Sequence, residues 1–191
     1  AVLVLVTLHF VGANVVSQSL AESEEERRAI KHLSAGEYAT AARILEELTQ
    51  SDPSSPRIHL WNLYRGTARY HLDQFPEATA LFLKVLQSRS DNGLVSRAHL
   101  FLGNIAFRTG DEQNAMHRYI QAWATGNGVI ASTALQSIDE MLSHGGAVEI
   151  QIDDIIGIAD GDKRCQLASR HVKVASIANQ GDVVERLIGL C

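Results

Sequence analysis

Cysteine, proline and clustered basic residues are all scarce in this sequence, and each shortage argues against a class of protein. The two cysteines, Cys165 and Cys191, lie far apart and neither belongs to a Cys-x-x-Cys pair, so we expect no structural zinc site or redox motif. Only three prolines interrupt the 191 residues, which favours long helices. The net charge is -5, and no basic cluster exceeds the two arginines at 27 and 28. We therefore expect no nucleic-acid partner and no polybasic contact with a membrane.

Catalytic, phosphate-binding and metal-binding motifs are absent as well. His171 follows Cys165 by six residues, which places the two on different faces of a helix. Asp153-Asp154 and Asp160-Gly-Asp162 lack the closing Glu of a calcium loop and are more simply helix caps. Gly126-Asn-Gly128 has no following Lys-Ser/Thr and is a turn rather than a phosphate loop. The sequence predicts no enzyme, no cofactor and no metal.

What the chain does contain is a repeat. Three times a turn residue is followed five positions on by Ala and nine positions on by a bulky apolar or aromatic residue. The turn residues are Gly36, Asp73 and Gly110, which are 37 residues apart in both intervals. The residues that follow them are Ala41 and Leu45, Ala78 and Phe82, and Ala115 and Tyr119. Such a period is typical of an α-helical solenoid, whose extended surface serves for binding.

Helix signals place the start of the fold at Ser23. Ser23-Glu24-Glu25-Glu26 is a capping box, in which the Ser side chain accepts a backbone N–H and Glu26 reaches back. A second helix ends near Gln50, and Ser55-Pro56 begins the next, with Ser as N-cap and Pro at the first helical position. Helix pairs are expected at 56–71 with 74–88 and at 95–108 with 112–124. The isolated Trp61 and Trp123 are expected to be core residues.

The remainder continues this pattern weakly. Turn residues recur at Gly145-Gly146 and Gly181-Asp182, which predicts two degenerate hairpins at 129–143 with 147–159 and at 162–178 with 182–190. The Ala at the contact position has become Ile150 and Arg186. VEIQIDDII also alternates like a strand, but a helix is favoured there.

These residues resemble the tetratricopeptide repeat (TPR) family from about 23 to 127. GEYATAARILEELTQSDP has the second-helix pattern of that family, and Gly66 and Gly103 supply the small first-helix residue where two helices touch. We expect Phe82 and Tyr119 to fill the wider gap toward the next unit. The Trp that this family has in the first helix of a unit is replaced in the three units by Glu25, Asn62 and His99. The resemblance implies an all-α, right-handed superhelical solenoid of antiparallel helix hairpins, with three TPR units at 23–127 and two degenerate, TPR-like hairpins at 128–191, about five hairpins in all.

The resemblance also implies a function, a non-enzymatic scaffold that holds a peptide or helix of a partner protein in a concave groove. Carried onto the matching positions, the groove is expected to present Leu60, Leu63, Thr67, Tyr70 and His71 from the second unit, and Arg97, Leu100, Asn104, Phe107 and Arg108 from the third. Tyr70, Asn104 and Arg108 are the expected anchors. Where chaperone-binding relatives place Lys and Asn, this chain has Glu26 and Ile30, which disfavours capture of a terminal carboxylate.

The first residues are of a different kind. Residues 1–16 are almost wholly apolar, and Ser19-Leu20-Ala21 has the small residues that a signal peptidase accepts. We interpret 1–21 as a secretory leader and expect an exported protein, periplasmic or extracellular. A membrane anchor, or a buried element of a cytoplasmic protein, is the alternative.

The apolar end LIGLC suggests a second function, in which the chain is the helical-repeat front part of a larger exported enzyme or small-molecule receptor. The sequence identifies neither the partner nor the oligomeric state.

Overall fold

The computed structural model describes residues 23–87, 91–143, 150, 152–177 and 189, and all regular structure in them is helical. In chain order the helices are α1 (Glu24–Ser34), α2 (Tyr38–Ser51), α3 (Ile58–His71), α4 (Phe75–Gln87), α5 (Asn92–Arg108), α6 (Glu112–Thr125), α7 (Gly128–Ser143), α8 (Ile152–Ile156) and α9 (Gly161–Ile177). None of the helices in this part of the chain combines the length and apolar character that crossing a membrane requires. The leader predicted at 1–21 and, apart from Gly189, the helix predicted at 182–190 lie outside the described residues.

The chain divides into two compact units, here named unit 1 (Ala1–Arg89) and unit 2 (Ser90–Cys191). They are larger than the TPR units predicted above, and unit 1 contains the first two of those. In the first unit α1 packs against α2, α2 against α3 and α3 against α4, and α1 also touches α3. In the second unit α5, α6 and α7 pack in the same sequential way, α5 also touches α7, and α8 contacts α9. Short turns between neighbouring helices produce antiparallel hairpins. The predicted all-α, TPR-like class is therefore confirmed, while the right-handed superhelix and the count of five hairpins stay predictions.

The repeating turn residue has a conformational reason. Gly36, Asp73 and Gly110 all have positive φ, at +78°, +58° and +83°. Only Gly adopts this left-handed region without strain, and Asp is among the few other residues that tolerate it. The 37-residue period thus marks the point where each hairpin turns back on itself.

Several predicted helix starts need correction. The third helix begins at Ile58 rather than at Pro56, because Pro56 and Arg57 lie in a turn in which the Arg57 N–H donates to Ser55 Oγ at 3.3 Å. The fifth begins at Asn92, since Asp91 caps it by accepting from the Gly93 N–H at 2.8 Å. Cap geometry sets these boundaries, and it is hard to locate from sequence to better than a few residues.

Each unit has its own core with one tryptophan. Trp61 packs with Ala29, Ile44, Leu45 and Leu48 in the first unit. In the second, Trp123 belongs to a larger cluster that continues into the C-terminal segment through Ile150, Ile155, Ile158, Leu167 and Ala168. The prediction that both tryptophans are core residues is confirmed.

The C-terminal segment matches its predicted hairpins in part. The helices expected at 129–143 and 162–178 are present as α7 and α9. Of the helix expected at 147–159, the described residues form the short α8, and residues 157–160 are not helical. The preference for helix over strand in VEIQIDDII is confirmed at Ile152–Ile156, while residues 148, 149 and 151 lie outside the described residues.

Candidate protein-binding surface

The first-helix face of unit 1, on α3, contains four of the predicted site residues. Thr67 and Tyr70 are half-buried and His71 is exposed. Leu63, in contrast, is only 2% exposed and is a core residue, so its expected place on the binding face is corrected. Thr67 Oγ1 donates to the Leu63 carbonyl oxygen at 2.9 Å, a local bond within the helix.

Aromatic rings surround His71 at the turn end of α3. The Tyr38 ring, from the start of α2, stacks on the His71 ring with centroids 4.4 Å apart and an interplanar angle of 11°. Tyr70 meets His71 edge-on at 5.2 Å and approaches Phe75 at 6.0 Å. Such contacts stabilise ring positions, so Tyr70 is held in place before any partner arrives.

Two arginines on α3 share one carboxylate of unit 1. Arg65 Nη2 lies 2.5 Å from Glu46 Oε1, and Arg69 Nη2 lies 3.4 Å from Glu46 Oε2. Arg69 Nη1 also donates to Gln74 Oε1 at 2.7 Å. Arg65 and Arg69 thus connect α3 to the neighbouring helix α2.

Glu26 is the largest departure from expectation in unit 1. The capping box predicts that its side chain reaches back to the start of α1, yet the residue is 0% exposed and binds elsewhere. Its backbone N–H does donate to Ser23 Oγ at 3.1 Å, which confirms the Ser half of the capping box. Its carboxylate, however, accepts from Arg57 Nε at 2.6 Å and from Arg57 Nη2. This bidentate pair joins α1 to the start of α3, and a period-based analysis of the sequence gives no signal for it.

Unit 2 presents its predicted site residues on α5. Arg97, Phe107 and Arg108 are exposed, with 51% of Phe107 open to solvent. Leu100, also expected on this face, is buried in the core cluster instead. Asn104 is half-buried, and its Oδ1 accepts a hydrogen bond from the Tyr119 hydroxyl at 2.9 Å. Asn104 therefore has a structural contact on one side of its amide, which the sequence did not indicate.

The small residues at the helix contacts are confirmed, but their partners differ from those expected. A Cβ added to Gly66 would lie 2.7 Å from Phe82 Cε1, and one added to Gly103 would lie 2.6 Å from Tyr119 Cε1. Phe82 and Tyr119 thus lie over the glycine of their own hairpin, which corrects the expectation that they fill a gap toward the next unit. A ring can approach a helix this closely only where no Cβ stands in the way.

Histidines form a polar cluster beside the core of unit 2. His117 Nδ1 lies 2.6 Å from Asp154 Oδ1, so Asp154 is paired across two helices and is not simply a helix cap. Burial, and then the charges of Arg118 and His117, lower the pKa of His99 from 6.5 to about 4. His99 Nδ1 is buried without a hydrogen-bond partner among the described residues. His99 is therefore neutral near pH 7.

Lys163 connects α9 to the C-terminal end of α6. Its Nζ donates to the carbonyl oxygens of Trp123, Ala124 and Gly126 at 2.9, 3.2 and 2.7 Å. It also lies 5.9 Å from the centroid of the Trp123 ring. These carbonyls are at the negative C-terminal end of α6, where a cation is stabilising.

The described residues form an all-helical repeat array whose helices α3 and α5 expose side chains to solvent. Among the described residues, no group of three or more His, Cys, Asp or Glu side chains is arranged to hold a metal ion. A family model described as tetratricopeptide repeat matches residues 27–93 and again 65–128, which together span more than half of the chain. The chain therefore belongs to the tetratricopeptide repeat family, whose members typically act as non-enzymatic protein–protein interaction modules. No curated protein and no solved structure shows significant similarity to it.

Proposed function

We propose that this protein is a non-enzymatic scaffold that binds a peptide or a helix of a partner protein on first-helix faces, with the α3 face of unit 1 and the α5 face of unit 2 each a binding surface of its own. The observation that supports this most is the exposure of Arg97, Phe107 and Arg108 on a helix whose opposite side is buried. A large aromatic residue that remains half exposed beside arginine is the composition found at protein-binding hot spots.

Tyr70 supports the same role for unit 1. Its ring is already ordered by His71 and Phe75, so the Tyr70 side chain loses little conformational freedom when a partner covers it. Asn104 is a weaker anchor than expected, because its Oδ1 is engaged by Tyr119.

A pull-down with the intact protein, followed by calorimetric titration of the recovered partner, tests this proposal. Tyr70→Ala and Arg108→Ala should each weaken binding by about 1 to 2 kcal/mol while circular dichroism stays unchanged. Glu47→Ala, an exposed residue on a second helix, is the matched control and should bind normally. If both test variants bind with full affinity, the partner uses another surface and the proposal fails.

We also propose that the scaffold works outside the cytoplasm. The support is the apolar segment at 1–16 followed by Ser19-Leu20-Ala21. Because α1 begins directly after Ser23, cleavage after Ala21 would leave the described fold intact. Amino-terminal sequencing of the mature protein from its native host should begin at Glu22, and a mature protein that retains residues 1–21 would contradict the export proposal.

A further inference from the structure

Three helices of unit 2 begin at an Asn-Gly or Asp-Gly pair. The pairs are Asn92-Gly93 at the start of α5, Asn127-Gly128 at the start of α7 and Asp160-Gly161 at the start of α9. A side-chain carbonyl followed by Gly is prone to ring closure, because Gly has no Cβ to hinder attack of its backbone nitrogen on the preceding side chain. For Asn this reaction is deamidation. Since the pairs share their chemistry and their place at a helix start, local structure decides which of them reacts.

Two of the pairs are held by hydrogen bonds. At the start of α5 the Gly93 N–H donates to Asp91 Oδ1 at 2.8 Å, and Asn92 is the first residue of the helix. At the start of α9 the Asp160 carboxylate accepts from the Lys163 N–H at 3.1 Å. The attacking nitrogen is therefore engaged in one pair and the side chain in the other, and each bond must break before a ring can close.

The third pair, in the Gly126-Asn-Gly128 turn, lacks both restraints. Asn127 is exposed and not helical, and no residue that the structure describes forms a hydrogen bond with its side-chain amide. Gly128 supplies the first N–H of α7, and the first four N–H groups of a helix have no partner within it. Gly128 has a φ of +49°, and no heavy atom lies within 4 Å of where its Cβ would be. The nitrogen and the amide are thus both open to react.

We propose that Asn127 is a site of spontaneous deamidation, with water as the only co-reactant, and that Asn92 is protected from the same reaction. The Gly128 nitrogen gives its proton to solvent and bonds to Asn127 Cγ, the bond from Cγ to Nδ2 breaks, and ammonia leaves with a proton taken from water. Water then opens the succinimide ring. Addition at Cγ produces aspartate, whereas addition at the former backbone carbonyl carbon produces isoaspartate, in which the chain runs through Cγ. Nothing is oxidised or reduced, and a neutral amide becomes a carboxylate.

The two products have opposite effects on the start of α7. The Asn127 carbonyl oxygen accepts from the Ala131 N–H at 3.4 Å, which is the first backbone bond of the helix. Aspartate keeps that carbonyl and adds a negative charge at the positive end of the α7 dipole, one residue from the Gly126 carbonyl that Lys163 Nζ binds at 2.7 Å. Isoaspartate turns the same carbonyl into a free carboxylate and lengthens the chain by one atom. It therefore disturbs the packing of α7 on α6 and destabilises unit 2.

Incubation of the full chain in mildly alkaline buffer, followed by peptide mapping with mass spectrometry, tests the inference directly. The peptide that contains Asn127 should gain the mass of an amide-to-acid conversion at least about tenfold faster than the peptide that contains Asn92, because Gly93 must first give up a hydrogen bond to a carboxylate. In concentrated urea the two rates should become similar, since both are then unfolded Asn-Gly pairs. Equal rates in the folded chain, or faster conversion of Asn92, would overturn the inference.

A matched pair of variants shows whether local structure is the cause. Asp91→Ala removes the acceptor of the Gly93 N–H and should raise the rate at Asn92 toward that at Asn127, without changing the rate at Asn127. Asn127→Gln should abolish the fast conversion, because its longer side chain would have to close a larger ring. If Asn92 stays slow in Asp91→Ala, the hydrogen bond does not protect it and that part of the inference is wrong.

Thermal unfolding of the separated products tests the effect on α7. Asn127→Asp reproduces the aspartate product and should melt at or above the temperature of the wild type. The isoaspartate fraction of an aged sample, identified by electron-transfer fragmentation, should melt below both. An isoaspartate fraction that melts with the wild type would contradict the proposed disturbance of α7.

Discussion

The two units satisfy their buried polar groups in different ways. Unit 1 uses pairs of permanent charges, in which Glu26 binds Arg57 and Glu46 binds Arg65. Unit 2 uses neutral or titratable groups, namely Tyr119 with Asn104, His117 with Asp154, and Lys163 with the carbonyl end of α6. Arginine and carboxylate keep their charges across the physiological pH range, whereas His changes its charge within it. The two arginine–carboxylate pairs of unit 1 are therefore insensitive to mild acid, although unit 1 also contains an exposed pair between His32 and Glu37.

The contact between the two helices of a hairpin is the same in both units, because the same ring carbon, Cε1, lies nearest to the glycine. In each, a ring lies over a glycine 16 positions earlier, Phe82 over Gly66 and Tyr119 over Gly103. In unit 2 the ring is Tyr119 instead of Phe82 and therefore has a hydroxyl. The residue after the glycine is Asn104 instead of Thr67, and Asn104 Oδ1 accepts a hydrogen bond from that hydroxyl. The hydroxyl that Tyr119 adds to the core of unit 2 thus comes with its own acceptor.

The largest expected effect comes from filling the glycine contacts. Gly66→Leu and Gly103→Leu should each lower the free energy of unfolding by about 2 to 4 kcal/mol, because even a Cβ would overlap the facing ring. Urea titration followed by circular dichroism measures the loss. If the contact is equivalent in the two units, the two losses agree within about 1 kcal/mol.

Two controls show whether the ring is the cause. Gln87→Leu, an exposed position near the end of α4, should cost little. Phe82→Ala should recover part of the loss in the Gly66→Leu variant and none of it in the Gly103→Leu variant. Equal unfolding midpoints for Gly66→Leu and Gln87→Leu would remove the packing argument.

Breaking the charge pair of unit 1 should have the next largest effect. Glu26→Gln removes the charge that neutralises Arg57 and should cost about 2 kcal/mol, less than for a fully buried pair because Arg57 is partly solvated. Glu24→Gln breaks the exposed pair with Arg27 and should have no measurable effect. The fluorescence of Trp61 in a Trp123→Phe background reports unfolding of unit 1. A Glu26→Gln variant as stable as Glu24→Gln would show that the buried pair does not stabilise the unit.

Acid should lower the stability of unit 2 more than that of unit 1. The folded chain does not protonate His99 until about pH 4, whereas the unfolded chain does so near pH 6.5. Unfolding therefore takes up a proton between these values, and the free energy of unfolding of unit 2 falls as the pH drops from 7 to 4. Because His99 is half-buried, we expect a loss of about 1 to 2 kcal/mol, smaller than the full pKa shift implies.

The two tryptophans make this separation measurable. Trp123 fluorescence in a Trp61→Phe background should report lower stability at pH 5 than at pH 7, and Trp61 in the reciprocal background should report a smaller change. His99→Gln should reduce the pH dependence of unit 2 without altering that of unit 1. An unchanged pH dependence in His99→Gln would assign the effect to another group, such as the His117–Asp154 pair.

Local features were predictable from the sequence and long-range pairings were not. The period revealed the turns at Gly36, Asp73 and Gly110 because a left-handed turn restricts the residue type wherever it occurs. Glu26 and Arg57 are 31 residues apart, and their pairing depends on how α1 is rotated against α3, which no local pattern records.

The candidate site shows the same division. Exposure of Phe107 and Arg108 agreed with the positions carried over from the family, since these positions follow helix periodicity. Leu63 and Leu100 did not, because a position at the border of a helix face turns inward when an apolar side chain can reach the core. Asn104 was assigned to a partner on its residue type alone, and only the position of Tyr119 in space reveals its structural bond.

The smallest expected effect concerns the hydrogen bond between the Tyr119 hydroxyl and Asn104, and it connects stability to binding. Tyr119→Phe should cost about 1 kcal/mol, because it removes one hydrogen bond and leaves the half-buried Asn104 Oδ1 without its donor. Adding Asn104→Thr to it reproduces the Thr67 and Phe82 pair of unit 1 and should restore most of the loss, whereas Asn104→Thr alone should not. Phe82→Tyr is the converse change, and it should destabilise unit 1 because it places a hydroxyl in a fully buried position.

The same variant decides what Asn104 is for. If Tyr119→Phe costs stability and leaves partner affinity unchanged, Asn104 serves the fold, and the binding face of α5 consists of its arginines and Phe107. If Tyr119→Phe is as stable as the wild type and binds the partner more tightly, the amide is an anchor that the Tyr119 hydroxyl competes for. In that case the polar pair of unit 2 belongs to its binding surface, and the difference between the units is a difference in function as well as in packing.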